Sequence, residues 1–160
     1  MSPTDDHRPF PDGWTVRSAT VADADQLHEL ELAARAAISD ARGGAAALAE
    51  QPPVGEWRTV LDHPDERVFV ASIDDVVVGY LQVSHPHGSP AGVVRQVHVT
   101  PEARELGFGD ELLAAAIGWL RERDAVAVES WALPGDRDTK NLFERAGVTA
   151  RKLIVSKRLD

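Results

Sequence analysis

The sequence predicts a mixed α/β domain, a sheet with helices on both faces. Three observations lead there. Apolar and β-branched residues crowd into short runs at 67–73, 76–84 and 93–99, bounded by turn residues as strands are. Elsewhere leucine, isoleucine and alanine recur at helical spacing, as at Leu27, Leu30, Ala34 and Ile38, and again at Leu112, Leu113, Ala116, Ile117 and Leu120. Between a strand and the second of these helices, residues 97–113 pass through a loop holding Gly107 and Gly109.

Taken in order, residues 14–18 alternate apolar and polar like a first strand. Thr20 is placed to cap a helix, and Asp23 puts negative charge in its first turn, where the macrodipole favours it. Arg42-Gly43-Gly44 ends that helix. An alanine-rich segment, 45–50, predicts a short helix before Pro52-Pro53 break the chain, and 56–61 predicts another turn or two. Residues 67–73 and 76–84, joined by Asp74-Asp75, predict an antiparallel hairpin. His85-Pro86-His87-Gly88-Ser89-Pro90 is a loop, whose two histidines lack the further ligands a metal would need. After the strand 93–99 and the long helix come a buried strand at 125–132 and a loop at 133–136. A last helix follows, capped by Asp136 or Asp138 and stopped at Gly147. A final strand at 150–156 closes the predicted fold.

Composition bounds the function. With 160 residues and 43% hydrophobic content, one domain with its own core is expected, residues 13–160, preceded by a disordered tail at 1–12. That tail has three prolines and no apolar core, unlike a signal peptide. The chain has no cysteine, which excludes disulfides, thiolate metal sites and a cysteine nucleophile and suits the cytoplasm. No apolar run approaches the roughly 20 residues that span a bilayer, so no membrane partner is expected. A net charge of −9 argues against a nucleic-acid surface and is compatible with a cationic amine.

The stretch 97–113 carries the chemistry. A strand that ends, turns through glycines and opens a helix leaves several N–H groups without intrahelical partners, aimed at one point. Such a point binds anions, phosphate above all. A glycine there lets the backbone approach a phosphate oxygen or adopt positive φ. The stretch lacks the Gly-Lys-Ser/Thr ending of a P-loop and has Leu112 where a dinucleotide fingerprint needs its third glycine or alanine.

Val99-x-Pro101, Arg104-x-x-Gly107-x-Gly109 and Leu112-Leu113 together resemble the acetyl-CoA-binding motif of the GNAT superfamily of N-acetyltransferases. The resemblance extends more loosely from Trp14 to the C-terminus. It implies a mostly antiparallel sheet of six to seven strands, acetyl-CoA as acyl donor, no metal, and direct transfer to a primary amine of a small molecule or peptide. Cofactor contacts are implied for Val97, His98, Val99, Arg104, Glu105, Leu106, Gly107, Phe108, Gly109, Asp110, Asp136 and Phe143. The Val99 N–H would polarise the thioester carbonyl, and the variable helices before residue 62 would cover the acceptor.

Three positions depart from the family pattern. Phe143 stands where a tyrosine usually meets the departing thiolate, Val93 where a strand carboxylate is common, and Asp136 where an asparagine is usual. Two residues are candidates for the missing proton chemistry. Glu129, a charge in an apolar strand, either faces solvent, pairs with Arg95 or acts as base. His98 has a suitable intrinsic pKa, but strand alternation turns it from the face of Val97 and Val99, which favours a packed or hydrogen-bonded structural histidine over a base. Tyr80, the sole tyrosine, is expected in the core. Trp57, Trp119 and Trp131 suit the core or a subunit contact, which leaves a homodimer open. Arg151-Lys152 and Lys157-Arg158 suit a solvated face or the nucleotide 3′-phosphate. The sequence thus predicts an acyl-CoA-dependent N-acyltransferase, with a non-catalytic acyl-CoA sensor or structural protein as the alternative.

Overall fold

The computed structural model describes residues 10–160. Five strands, β1 (Trp14–Ser18), β2 (Glu66–Ile73), β3 (Val76–Ser84), β4 (Ala91–Val99) and β5 (Ala127–Glu129), form one sheet in that order. The first three pairings are antiparallel and β4–β5 is parallel. Between β1 and β2 lie α1 (Ala24–Asp40), α2 (Gly44–Glu50) and α3 (Trp57–Asp62); α4 (Phe108–Glu122) links β4 to β5, and α5 (Arg137–Arg145) follows.

Local chemistry explains these boundaries. Asp74 and Asp75 both take positive φ, 49° and 69°, giving the two-residue turn whose twist suits a hairpin. A short 3-10 turn, Val21–Asp23, precedes α1, and the Asp23 carboxylate accepts the Thr20 backbone N–H at 2.8 Å. The same carboxylate takes two guanidinium bonds from Arg17, 2.8 and 2.9 Å, which hold it below the usual carboxylate range.

Helices cover both faces, each with its own core. On one, α4 and α5 place Phe108, Leu112, Leu113, Ala116, Leu142 and Phe143 against β2–β4. On the other, Leu27 and Leu30 of α1 and Trp57 of α3 meet Val68, Val70 and Tyr80. Phe10 and Trp14 extend the first core; the Phe10 ring stacks 4.9 Å from Phe108. Phe10 therefore belongs to the fold, while the rest of the predicted tail up to residue 9 lies outside the described residues. No helix among the described residues is long and apolar enough to cross a membrane.

Two predicted strands come out differently. The strand expected at 125–132 is only Ala127–Glu129, because its pairing with β4 stops at Val93↔Glu129. The closing strand expected at 150–156 does not form, and residues 148–160 have no regular structure. The sheet therefore has five strands, not six to seven. A β-prone run becomes a strand only when a sheet edge receives it, and this one meets none within the described fold.

Candidate active site

The site begins with a defect in the sheet. Gln82 pairs with Gln96 and Val83 with Val94, so Arg95 is an extra residue on β4. Such a bulge bends its strand and ends regular pairing nearby, and beyond Val93 the strands β4 and β5 part. A cleft of about 1250 Å³ opens there, lined by Gln96–Val99 on one side and Ser130–Leu133 on the other.

The alternation of β4 decides what faces this opening. Thr100 N–H bonds the Val78 carbonyl at 2.8 Å. With Gly79 opposite Val99 and Tyr80 opposite His98, antiparallel alternation directs the main chain of Gln96 and His98 at β3 and that of Val97 and Val99 into the cleft. Arg104 Nε donates to the Val99 carbonyl at 3.1 Å, which confirms that outward orientation.

The loop after β4 delivers the anion cradle. Glu105 and Gly107 take positive φ, 64° and 92°, and turn the chain into α4. The first bond of α4 runs from Glu111 N–H to the Gly107 carbonyl at 3.2 Å, so the N–H groups of Phe108, Gly109 and Asp110 point out of the helix start. A Cβ on Gly107 would meet only Phe10, 3.8 Å away, so φ rather than crowding demands glycine there. Glu105, Gly107, Phe108, Gly109 and Asp110 all line the cleft, as does Arg104, while Leu106 is 40% exposed outside it. Asp110 is bonded by Arg145 Nε at 3.0 Å, which ties the start of α4 to the end of α5.

The remaining candidates separate. Asp136 lines the cleft and caps α5, accepting from Thr139 N–H at 3.1 Å and Thr139 Oγ1 at 2.6 Å. Phe143 is not on the cleft; it is buried in the core beside α4, and Asn141, Leu142 and Arg145 face the opening instead. Glu129 sits exposed on β5, outside the lining. Arg95 does not reach it and donates from Nε to Ser84 Oγ at 2.9 Å.

His98 does reach the cleft, beside Tyr80. Its Nε2 is buried without a hydrogen-bond partner among the described residues. Burial first, and the Arg104 charge second, pull its pKa down to about 4, so the ring is neutral at physiological pH. The outward turn expected from alternation is correct for β4, but the splayed cleft exposes both faces of the strand.

A polar network beneath the cleft escaped sequence reasoning. Tyr80 donates to Gln96 Oε1 at 2.6 Å, and Gln96 Nε2 donates to Glu31 Oε2 at 2.7 Å and Gln82 Oε1 at 3.0 Å. Glu31, buried on α1, also accepts the Val54 N–H. Burial and the nearby Glu31 carboxylate push the Tyr80 phenol far up, so it stays protonated. The signal was available: Glu31 falls within the stripe of Leu27, Leu30 and Ala34, where a surface charge does not belong. Above this floor, Ala34 and Ile38 of α1, Leu48 of α2 and Pro52 line the other half of the cleft.

Comparison with known proteins places this geometry. A family model described as acetyltransferase (GNAT) family matches residues 26–148. No match is found among curated protein sequences. Among solved structures, the AAC(6')-Iy complex with the bisubstrate analogue CoA-S-monomethyl-acetylneamine is similar at TM-score 0.68 and 18% identity, covering 92% of this chain and 98% of that one. A structure described as a transcriptional regulator from Bacillus halodurans gives 0.67 and 21%, covering 91% and 99%. The aminoglycoside 6'-N-acetyltransferase AAC(6')-IG from Acinetobacter haemolyticus gives 0.65 and 19%, covering 91% and 99%.

Proposed function

The chain belongs to the acetyltransferase (GNAT) family, and from that premise we propose that it moves the acetyl group of acetyl-CoA directly onto the primary amine of a small molecule. The observation that carries this reading is the cleft where β4 and β5 part, with the outward main chain of Val97 and Val99 at one end and the start of α4 at the other. The pyrophosphate suits the N–H groups of residues 107–110, with Arg104 adding charge. The pantetheine arm, a chain of amides, suits pairing with β4 as an added strand would. The Val99 N–H is then aimed at the thioester oxygen, whose charge grows as the carbonyl becomes tetrahedral.

The acceptor occupies the half of the cleft walled by α1, α2 and the Pro52 loop. The amine nitrogen attacks the thioester carbon, the C–N bond forms, and the C–S bond breaks to release a thiolate. His98 is the side chain best placed to handle the proton. A neutral imidazole with depressed pKa is a weak base, so it takes the proton once attack has made the nitrogen acidic; as imidazolium it is a strong acid and returns that proton to the thiolate, directly or through water. The exposed position of Glu129 does not support it as the base. The neighbouring aminoglycoside acetyltransferases favour a small-molecule amine over a peptide.

One observation favours a second reading, a non-catalytic acyl-CoA binder. Phe143 is buried and brings no hydroxyl to the cleft. Free-thiol release from acetyl-CoA over a panel of polyamines, aminosugars and short peptides decides between them. Thiol release stoichiometric with acetylated amine supports transfer; tight CoA binding without release on any amine supports the binder.

A further inference from the structure

The acceptor half of the cleft carries charge of the wrong sign for a polycation. Arg35 of α1 and Arg95 of the β4 bulge line it, against one carboxylate, the exposed Glu50 at the end of α2. Every other acid on the lining lies beyond β4, from Glu105 to Asp138, where the start of α4 and α5 hold the opposite end of the cleft. A guest with several ammonium groups would meet two guanidinium groups there and one solvated acid.

Arg35 is held in place with donors to spare. It is half-buried, and its NH1 donates to the Gln51 carbonyl at 2.7 Å, which ties α1 to the loop at Pro52. The Glu31 carboxylate, one turn earlier, accepts the Val54 N–H at 3.1 Å and so fixes the same loop from below. Glu31 is 2% exposed and turned to Val54 and Gln96, and Arg35 makes no ion pair among the described residues. The Nε and NH2 edge of Arg35 has no hydrogen-bond partner among those residues either. That edge is a planar fork, the shape a carboxylate accepts with both oxygens.

Arg95 is the lesser of the two. Its Nε is taken by Ser84 Oγ at 2.9 Å, and the Glu66 carboxylate shares its charge. Around Arg35 the wall is apolar, formed by Ala34, Ile38, Leu48 and Pro52. An acceptor that fills this half displaces water from the guanidinium, and donors left without a partner then cost binding energy. The guest must therefore bring an acceptor group to Arg35 and an apolar body to the wall.

We propose that the amine acceptor is an amphipathic amino acid, whose carboxylate pairs with Arg35 while its apolar body lies on α1 and α2 and its amine reaches the thioester. This rests on the acetyl-transfer reading above and narrows its substrate class.

The test compares acceptors of matched length. Rates of thiol release from acetyl-CoA are measured for ω-amino carboxylates of increasing chain length, each beside its own carboxamide and the corresponding diamine. The best carboxylate is expected to exceed its carboxamide by about tenfold or more in kcat/KM, with the diamine lowest. Arg35→Gln is expected to remove that ratio, and Arg35→Glu to place the diamine first. A carboxamide or diamine that matches the carboxylate in the unmodified protein overturns the proposal, as does a ratio that survives Arg35→Gln. Where Arg35→Gln loses its far-UV circular dichroism, Arg35→Lys keeps the charge without the fork and is expected to lower the ratio; an unchanged ratio counts against the proposal equally. Release with no amine at all sinks the transfer reading, and calorimetry on the CoA-saturated protein then decides the anion site by itself. Carboxylate binding that exceeds carboxamide binding only when Arg35 is present upholds the pairing, and equal binding overturns it.

Discussion

His98 has a neutral ring that pH keeps neutral where most histidines titrate. Its folded pKa of about 4 lies below the usual value, so between about 4 and 6.5 the unfolded chain binds the extra proton. Stability from this group is therefore complete above pH 6.5 and is lost as pH falls toward 4. Urea unfolding at pH 7 and pH 5 is expected to show a loss on the order of 1–2 kcal/mol in the wild type that His98→Gln lacks. Equal losses in both proteins would remove the histidine from the account. Activity with His98→Gln is expected to fall mainly in kcat, since the ring handles a proton rather than holding substrate. Phe143 carries the opposite lesson. The family pattern invites Phe143→Tyr as a gain of thiolate acid, but the ring is 6% exposed among apolar neighbours. The new hydroxyl is expected to cost about 1–3 kcal/mol in urea unfolding and to leave thiol release no faster.

At the scale of elements, the loop and the start of α4 work as one part. Gly107 holds φ of 92°, which a β-branched side chain resists strongly. Gly107→Val is expected to turn the N–H groups of residues 108–110 off their common point and to weaken CoA by tenfold or more in calorimetry, with circular dichroism unchanged. Unaltered affinity would place the pyrophosphate elsewhere. Much of this part was legible in sequence, because glycine spacing, a strand ending at Pro101 and an apolar helical stripe are all local patterns. The bulge at Arg95 was not legible, since it exists only as a mismatch between two strands. Nor was the shortness of β5, whose pairing with β4 stops at Val93↔Glu129; the next residue, Ser130, reaches β4 through its side chain, donating from Oγ to the Val94 carbonyl at 3.0 Å.

For the whole molecule, the two cores and the cleft between them predict how ligand and stability are linked. CoA bound only to the folded state at 100 times its Kd adds about 2.7 kcal/mol, which for a chain of this size raises Tm by about 5–10 °C. A thermal-shift series with acetyl-CoA, CoA and ATP is expected to order the first two well above the third; an equal shift with ATP would leave only a general phosphate site.

The sequence by itself determined the strand and helix alphabet, the helix-covered mixed sheet and the glycine loop, since each depends on side chains a few positions apart. It also carried the family resemblance, which the match over residues 26–148 bears out. Only the tertiary structure decided that Phe143 packs inward, that His98 meets the cleft with its Nε2 lacking a hydrogen-bond partner among the described residues, and that Glu31, Gln96 and Tyr80 join across three elements. Those outcomes depend on where β4 and β5 separate, and separation is a relation between strands distant in sequence that no local pattern encodes.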